Sequence, residues 1–169
     1  FVKFGFKGRV YPINPEAGEI LGVKAYSSVK EAPDEIDLAV IVLSAPAVLK
    51  VMLDCAEKRV KCAVIISGGF GEVGEEGTKR EKEVKEIIQK SGIRVIGPNC
   101  MGVVDTATKV NTMFLPAQHF SRPEEGNIGF ISQSCAFGLT MIDYLAGEGI
   151  GISKFASYGN KIDVDETEL

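Results

Sequence analysis

The ten residues Ile93–Gly102 read I-R-V-I-G-P-N-C-M-G. An apolar, β-prone run stops abruptly at Gly97-Pro98, and Asn99, Cys100 and Gly102 follow with no room for a helix to begin. Glycine permits unusual φ, while proline fixes its own φ and biases the residue before it away from helix. The stretch therefore predicts a buried strand delivering a tight, polar loop. In an open α/β sheet, ligands are held in the loops just past the carboxyl ends of the strands.

Outward from this stretch toward the N-terminus the same alternation repeats. Cys62–Ile66 is a buried strand closed by Ser67-Gly68-Gly69-Phe70-Gly71-Glu72. From about Glu75 to Ser91 the chain is highly charged, with Val84, Ile87 and Ile88 as a narrow apolar seam and Gly92 as a C-cap, which predicts a solvent-facing helix. Ile36–Leu43 is a near-continuous β-branched run, the signature of a central parallel strand covered on both faces. It ends at Ser44-Ala45-Pro46, where a proline suits the first turn of a helix, and Val48, Leu49, Met52, Leu53 and Ala56 then form one apolar stripe. Earlier still, Gly8 leads into the strand-like Arg9–Asn14, followed by Pro15 and a Gly18/Gly22 loop. That strand reads as the second of a sheet whose first is absent, so truncation is expected. Strands joined by helical crossovers imply a parallel, doubly wound sheet with right-handed connections.

Toward the C-terminus the texture changes. Val103–Glu125 has scattered polar residues, two prolines and no sustained period, and reads as an ordered connector between domains. Ile128–Ile131 is then another short buried strand, Ser132-Gln133-Ser134-Cys135 leads into a helix over Ala136–Ala146, and Ile152–Ser157 is a further strand closed by Tyr158-Gly159-Asn160. A second β-α-β unit has begun and is unfinished at Leu169.

Composition bounds the class of partner. With 45% hydrophobic and 25% charged residues, the 169-residue chain has the make-up of a soluble globular protein able to bury a core. A net charge of −4 without a basic stripe argues against nucleic acid and anionic membrane surfaces. The longest apolar stretches, Leu38–Leu43 and Ala63–Ile66, are too short to span a bilayer and no signal peptide opens the chain, so a cytoplasmic location is expected. Cys55, Cys62, Cys100 and Cys135 lie far apart with no C-x-x-C pair, indicating neither metal site nor disulfide framework; buried thiols are the default.

Five loops leave the carboxyl ends of successive strands: Asn14-Pro15, Ser44-Ala45-Pro46, Ser67-Gly68-Gly69, Gly97-Pro98-Asn99-Cys100 and Ser132-Gln133-Ser134. The first four share one sheet edge. Their small residues, backbone groups and amide suit a flat or elongated ligand such as a nucleotide-derived cofactor, although glycine and proline also serve simply to end strands. In the fifth, Ser134 can cap the following helix, whose first N–H groups make an anion site fit for phosphate; many such turns bind nothing. Cys135, near the same helix N-terminus, is either a thiol of lowered pKa or a packing residue, and Cys100 is read as a packing residue. The one histidine, His119, sits in the connector without partners and reads as a loop residue.

At these residues the chain resembles a known family. G-P-N-C-M-G at Gly97–Gly102, S-G-G-F-G-E-V-G at Ser67–Gly74, N-I-G-F-I-S-Q-S-C-A-F-G at Asn127–Gly138 and S-Y-G-N-K-I-D-V-D at Ser157–Asp165 are similar to the α subunit of nucleoside-diphosphate-forming acyl-CoA synthetases, in particular ADP-forming acetate–CoA ligases akin to succinyl-CoA synthetase. The resemblance covers nearly the whole chain. It implies a Rossmann-like CoA-binding domain over residues 1–122, then the beginning of a flavodoxin-like ligase domain over 123–169. In that family the acyl group, CoA and phosphate are exchanged through an acyl phosphate and a phosphohistidine.

Carried over by motif, Asn14, Pro15, Ala45, Pro46, Ser67, Gly68, Asn99 and Cys100 would contact CoA, the last two near its thiol end, and Ser132, Gln133 and Ser134 would lie at the helix N-terminus that steadies the phosphohistidine. The resemblance further implies a small carboxylic acid as substrate, Mg²⁺ with ATP or ADP in an ATP-grasp β subunit or domain, and a hetero- or homo-oligomer. Three departures stand out. The family's first Gly-rich loop is missing, its phosphorylated histidine lies beyond Leu169 and is not matched by His119, and Cys135 stands where the family usually has glycine. No catalytic residue is therefore expected within the chain, and no turnover by it alone. Two rival readings remain: a CoA-responsive regulatory domain, as in synthetase-like proteins fused to an acetyltransferase, and an NAD-binding dehydrogenase domain. The latter is disfavoured because no G-x-G-x-x-G follows a strand.

Overall fold

The computed structural model describes residues 1, 4–114 and 120–169, so Pro116 and His119 lie outside the described residues. The N-terminal part is mostly irregular. A small hairpin pairs β1 (Glu19–Ile20) with β2 (Val23–Lys24). The strand expected over Arg9–Asn14 contracts to one parallel bridge between Ile13 and Tyr26, with Asn14 N–H donating to the Tyr26 carbonyl and Tyr26 N–H to that of Pro12. Pro12 has no N–H to extend a ladder, and Pro15 fixes the turn beyond it.

The first sheet has the expected parallel alternation. β3 (Leu38–Ile41), β4 (Cys62–Ile65) and β5 (Arg94–Ile96) pair in sequence order, joined by α1 (Ala45–Lys58) and α2 (Glu75–Ser91). Residues alternate between two buried faces, as a parallel strand covered on both sides requires. Ala63 and Ile65 join a core with Val48, Met52 and Cys55 of α1 and Val84, Ile87 and Ile88 of α2, while Val64 and Ile66 face a second cluster with Cys100, Ile96 and Val103. Two expectations change. Among the described residues β4, not β3, is the central strand, and Val42 and Leu43 beyond β3 are exposed. The buried seam of α1 is Ala45, Val48, Met52 and Cys55, so Leu53, one residue further round the helix than Met52, is 53% exposed. An apolar run gives the strand but not its neighbours, and an apolar stripe two residues wide leaves the docking angle open.

The segment read as a connector instead opens a second sheet. β6 (Gly102–Asp105) pairs antiparallel with β7 (Val110–Asn111) and with β9 (Ile152–Ser157); β8 (Glu125–Ser132) runs parallel to β9, and the order is β7-β6-β9-β8. α3 (Cys135–Gly147) joins β8 to β9, so the β-α-β unit expected to be unfinished at Leu169 is closed, over a core of Met101, Val104, Met113, Ile142, Ile152 and Phe155. β8 is not buried: it is an edge strand, with Ile128 41% and Ile131 40% exposed. Four short apolar residues fit an edge as well as a centre. Because β6 follows directly on the Gly97–Gly102 loop and pairs with β9, the two sheets meet at that loop.

Candidate functional site

Three parallel strands carry their loops to one edge, and Ser67 ties those loops together. Its hydroxyl accepts the Leu43 N–H at 3.0 Å and its carbonyl accepts the Asn99 N–H at 2.9 Å. One buried serine thus fixes the chain after β3, β4 and β5 relative to one another. The Ser67 hydroxyl oxygen and carbonyl therefore brace these loops from inside the protein.

The Gly97–Gly102 loop is shaped by backbone demands. Gly97 has φ +101°, a value that side chains rarely adopt, and a Cβ there would sit 2.4 Å from the Ile65 carbonyl oxygen. The Gly97-Pro98 peptide is cis, and Asn99 follows at φ 58°, in the left-handed region that asparagine tolerates. Cys100 then turns inward: it is 2% exposed, its thiol donates to the Ile65 carbonyl at 3.3 Å, and burial pushes its pKa up to about 12. The Cys100 side chain thus packs inside the protein, while Asn99 lines a cleft.

The β8–α3 turn is built differently. Ser134 is the N-cap of α3 and its hydroxyl accepts the Phe137 N–H at 3.2 Å, as the sequence predicts. Ser132 is buried, and its hydroxyl donates to the Ser134 carbonyl at 2.9 Å. The N–H groups of Cys135 and Ala136 have no partner among the described residues. Together with the helix dipole they make that end of the turn attractive to an anion.

These two loops face one another. Asn99, Gln133, Ser134, Cys135, Gly159 and Asn160 line a cleft of about 460 Å³. Three of the residues predicted from sequence (Asn99, Gln133 and Ser134) are therefore brought together from different sheets. The Cys135 thiol lies 3.6 Å from the Asn99 carbonyl and 3.7 Å from the Ser157 hydroxyl, bridging the two walls. Gly68 is adjacent, a Cβ on it falling 3.2 Å from the Asn99 Oδ1. The other predicted contacts lie outside this cleft. Asn14 accepts the Glu16 N–H at 2.9 Å in a local turn, Pro15 and Pro46 are exposed, and Ala45 is buried at the start of α1.

Sequence reading missed the residues that close the arrangement. The side chain of Asn160 donates to Glu72 at 2.7 Å and to Glu81 at 3.0 Å, and accepts from the Asn99 amide at 3.4 Å. Glu72 also accepts the N–H groups of Gly69 and Phe70, and Glu81 that of Gly71 at 3.1 Å. Burial pushes the Glu72 carboxyl up, but the bonds from Asn160 and the loop N–H groups outweigh it and hold the group below the usual carboxylate range. The signal for it is positional: Asn160 sits in the loop past β9, equivalent to the other loops at the strand ends. Among the described residues no group of three His, Cys, Asp or Glu side chains is arranged to hold a metal, and no helix is long and apolar enough to cross a membrane.

Residues 3–106 match the model of a CoA binding domain, and residues 125–169 that of a succinyl-CoA ligase like flavodoxin domain. The chain is 48% identical over 162 residues to the α subunit of ADP-forming acetate–CoA ligase II of Pyrococcus furiosus, covering 96% of this chain and 34% of that protein. Among solved structures, a Pyrococcus horikoshii protein superposes with a TM-score of 0.92 at 49% identity, covering 99% of this chain and 38% of that one. A dinucleotide forming acetyl-coenzyme A synthetase of Candidatus Korarchaeum cryptofilum, in complex with phosphate and ADP, superposes at 0.91 with 43% identity, over 99% and 35% of the two chains. The chain thus spans about a third of the length of these relatives. With the greater part of its length matched by the first of these models, the chain belongs to the CoA binding domain family, continued into a succinyl-CoA ligase-like domain and closely related to the α subunits of ADP-forming acetate–CoA ligases.

Proposed function

We propose that the chain supplies the CoA-binding and phosphate-handling part of an ADP-forming acid–CoA ligase, which interconverts acyl-CoA, ADP and phosphate with acid, CoA and ATP. The observation that carries this reading is the cleft in which Asn99, from the CoA binding domain, faces Gln133 and Ser134, from the ligase-like domain. A reaction that exchanges a thioester for a phosphoryl compound gains most from holding its two ends within bonding reach, and a cleft between two such loops does that. CoA, when bound, supplies the thiol that carries the acyl group. The Asn99 amide is the group disposed to orient its thiol end. The free N–H groups at the start of α3 offer donors to phosphate, while Glu72 and Glu81 make the Asn160 side unfavourable to it, so the anion is drawn to the α3 end.

The remaining assignments belong to the same reading. Asn14, Pro15, Ala45, Pro46 and Gly68 contact CoA further along the loop edge, with Ser67 and the Cys100 backbone shaping that surface, and the phosphate loop is Ser132–Ser134. The domains divide at residues 122 and 123, which is supported by family matches that end at 106 and resume at 125. The acid is a small carboxylic acid; Mg²⁺ and ATP or ADP bind in an ATP-grasp partner subunit or domain; the protein works in the cytoplasm as part of an oligomer; and the chain alone does not turn over. The regulatory alternative, fused to an acetyltransferase, is not favoured, because the relatives are ligases.

Titration calorimetry of the complete gene product with CoA and with NAD tests the reading, alongside conversion of acetyl-CoA, ADP and phosphate. CoA binding that weakens about tenfold in Asn99→Ala is the expected result, the size of one lost hydrogen bond. Binding of NAD in place of CoA overturns it.

A further inference from the structure

Asn160 lines the cleft, yet its side chain is engaged within the protein. Asn160 has its side-chain oxygen and both of its amide hydrogens engaged within the protein, toward Asn99, Glu72 and Glu81. Its backbone N–H donates to the Pro98 carbonyl at 2.9 Å, and its neighbour Gly159 leaves room for that approach: a Cβ on Gly159 would fall 2.2 Å from the same oxygen. Among the described residues neither Glu72 nor Glu81 has a cation within ion-pair distance. The Asn160 amide is thus the neutral group that lets two carboxylates sit side by side. Those carboxylates hold the N–H groups of Gly69, Phe70 and Gly71, which fixes the Gly-rich loop after β4.

We infer that Asn160 is a positioning residue for the proposed ligase reaction: it clamps the Asn99 loop to the Glu72–Glu81 pair, and because the Tyr158 N–H of the same loop donates to the Ser132 carbonyl at 3.2 Å, it sets where the Asn99 loop stands relative to the β8–α3 turn. This deepens the function proposed above and rests on it. The clamp acts on geometry. Loosening it leaves each ligand's own contacts intact but misaligns them, and a misplacement near 1 Å costs up to about a hundredfold in rate.

The test is made on the complete gene product with its partner subunit, measuring acetyl-CoA-dependent ATP formation, CoA affinity and melting temperature. Asn160→Asp sets a third carboxylate against Glu72 and Glu81. The expected result is a kcat lowered about ten- to hundredfold with CoA affinity within about twofold of the wild type. Adding Glu72→Gln restores an amide–carboxylate pair with the roles exchanged, and kcat recovers at least half of the loss on a logarithmic scale. An unchanged kcat in Asn160→Asp overturns the inference, as does loss of CoA affinity with kcat kept, which would make Asn160 a ligand contact. Should Asn160→Asp melt at a much lower temperature, the double variant decides: recovery of the melting temperature without recovery of kcat overturns the positioning role. Absence of turnover in the wild type defeats the functional reading itself and this inference with it, whereas wild-type turnover with an unaffected variant defeats only the inference.

Discussion

The two walls of the cleft are made by opposite means. The Gly97–Gly102 loop is held by backbone: Gly97 under the Ile65 carbonyl, Asn99 N–H on the Ser67 carbonyl, and the Asn160 and Ile162 N–H groups on the carbonyls of Pro98 and Gly97. Its one thiol is sealed in the core. The Ser132–Cys135 turn is closed chiefly by side chains, two hydroxyls at a helix start beside one backbone bond from the Tyr158 N–H to the Ser132 carbonyl, and its thiol stays half-buried in the cleft. A wall fixed by close backbone contact tolerates almost no change of residue, because a Cβ has nowhere to go. A wall fixed by hydroxyls tolerates substitution at the cost of single hydrogen bonds.

The hardest blow to this contrast is Gly97→Ala. It places a Cβ 2.4 Å from a backbone oxygen at a φ of +101° and is expected to destabilise by about 3–5 kcal/mol, read from the urea midpoint. A loss below about 1 kcal/mol breaks the claim that this wall is rigid.

The thiols give the next test. Burial pushes Cys55 up to about 11 and Cys100 up to about 12 from an ordinary value of 9.0, so both stay protonated in the folded state where the unfolded chain ionises. Because these folded values are raised, the stabilisation is fully present below about pH 9 and is lost as the pH climbs toward 12. The expected loss is a few kcal/mol across that window, measured by denaturation at stepped pH and diminished in Cys100→Ala. Alkylation at pH 8 sharpens the same point: mass spectrometry is expected to find Cys62 and Cys135 modified and Cys55 and Cys100 intact. Added CoA is expected to protect Cys135 alone. Labelling of Cys100 ahead of Cys135 reverses the comparison.

Smaller effects are expected from the side-chain wall. Ser134→Ala removes the α3 cap and is expected to lower stability by about 1 kcal/mol while weakening phosphate binding severalfold. Gln133→Ala, on an exposed side chain with no hydrogen bond to the protein among the described residues, is expected to change stability by less than about 0.5 kcal/mol and to show only in ligand titration.

Much of this was legible in the residues. α2 begins and ends where its charge pattern and Gly92 indicate, β9 matches Ile152–Ser157, and the Ser134 cap forms as the sequence predicts. Each is a local matter of periodicity, cap chemistry or a glycine at positive φ, and local physics is written in consecutive residues. The misreadings were all non-local. Arg9–Asn14 lacked a partner along most of its length, β8 took an edge, the α1 seam turned toward Cys55, and Val103–Asn111 became part of a sheet.

The sequence by itself determined the strand–helix alternation, the loops at the strand ends and the family resemblance borne by four motifs. Tertiary structure alone decided which of those groups meet. Ser67, Cys100 and Ser132 make hydrogen bonds inside the protein, and Asn160 reaches Glu72 from 88 positions away. The physical reason is that a hydrogen-bonding side chain announces its donors and acceptors in the sequence, whereas whether they face a ligand or the chain itself depends on what packing brings within about 3 Å.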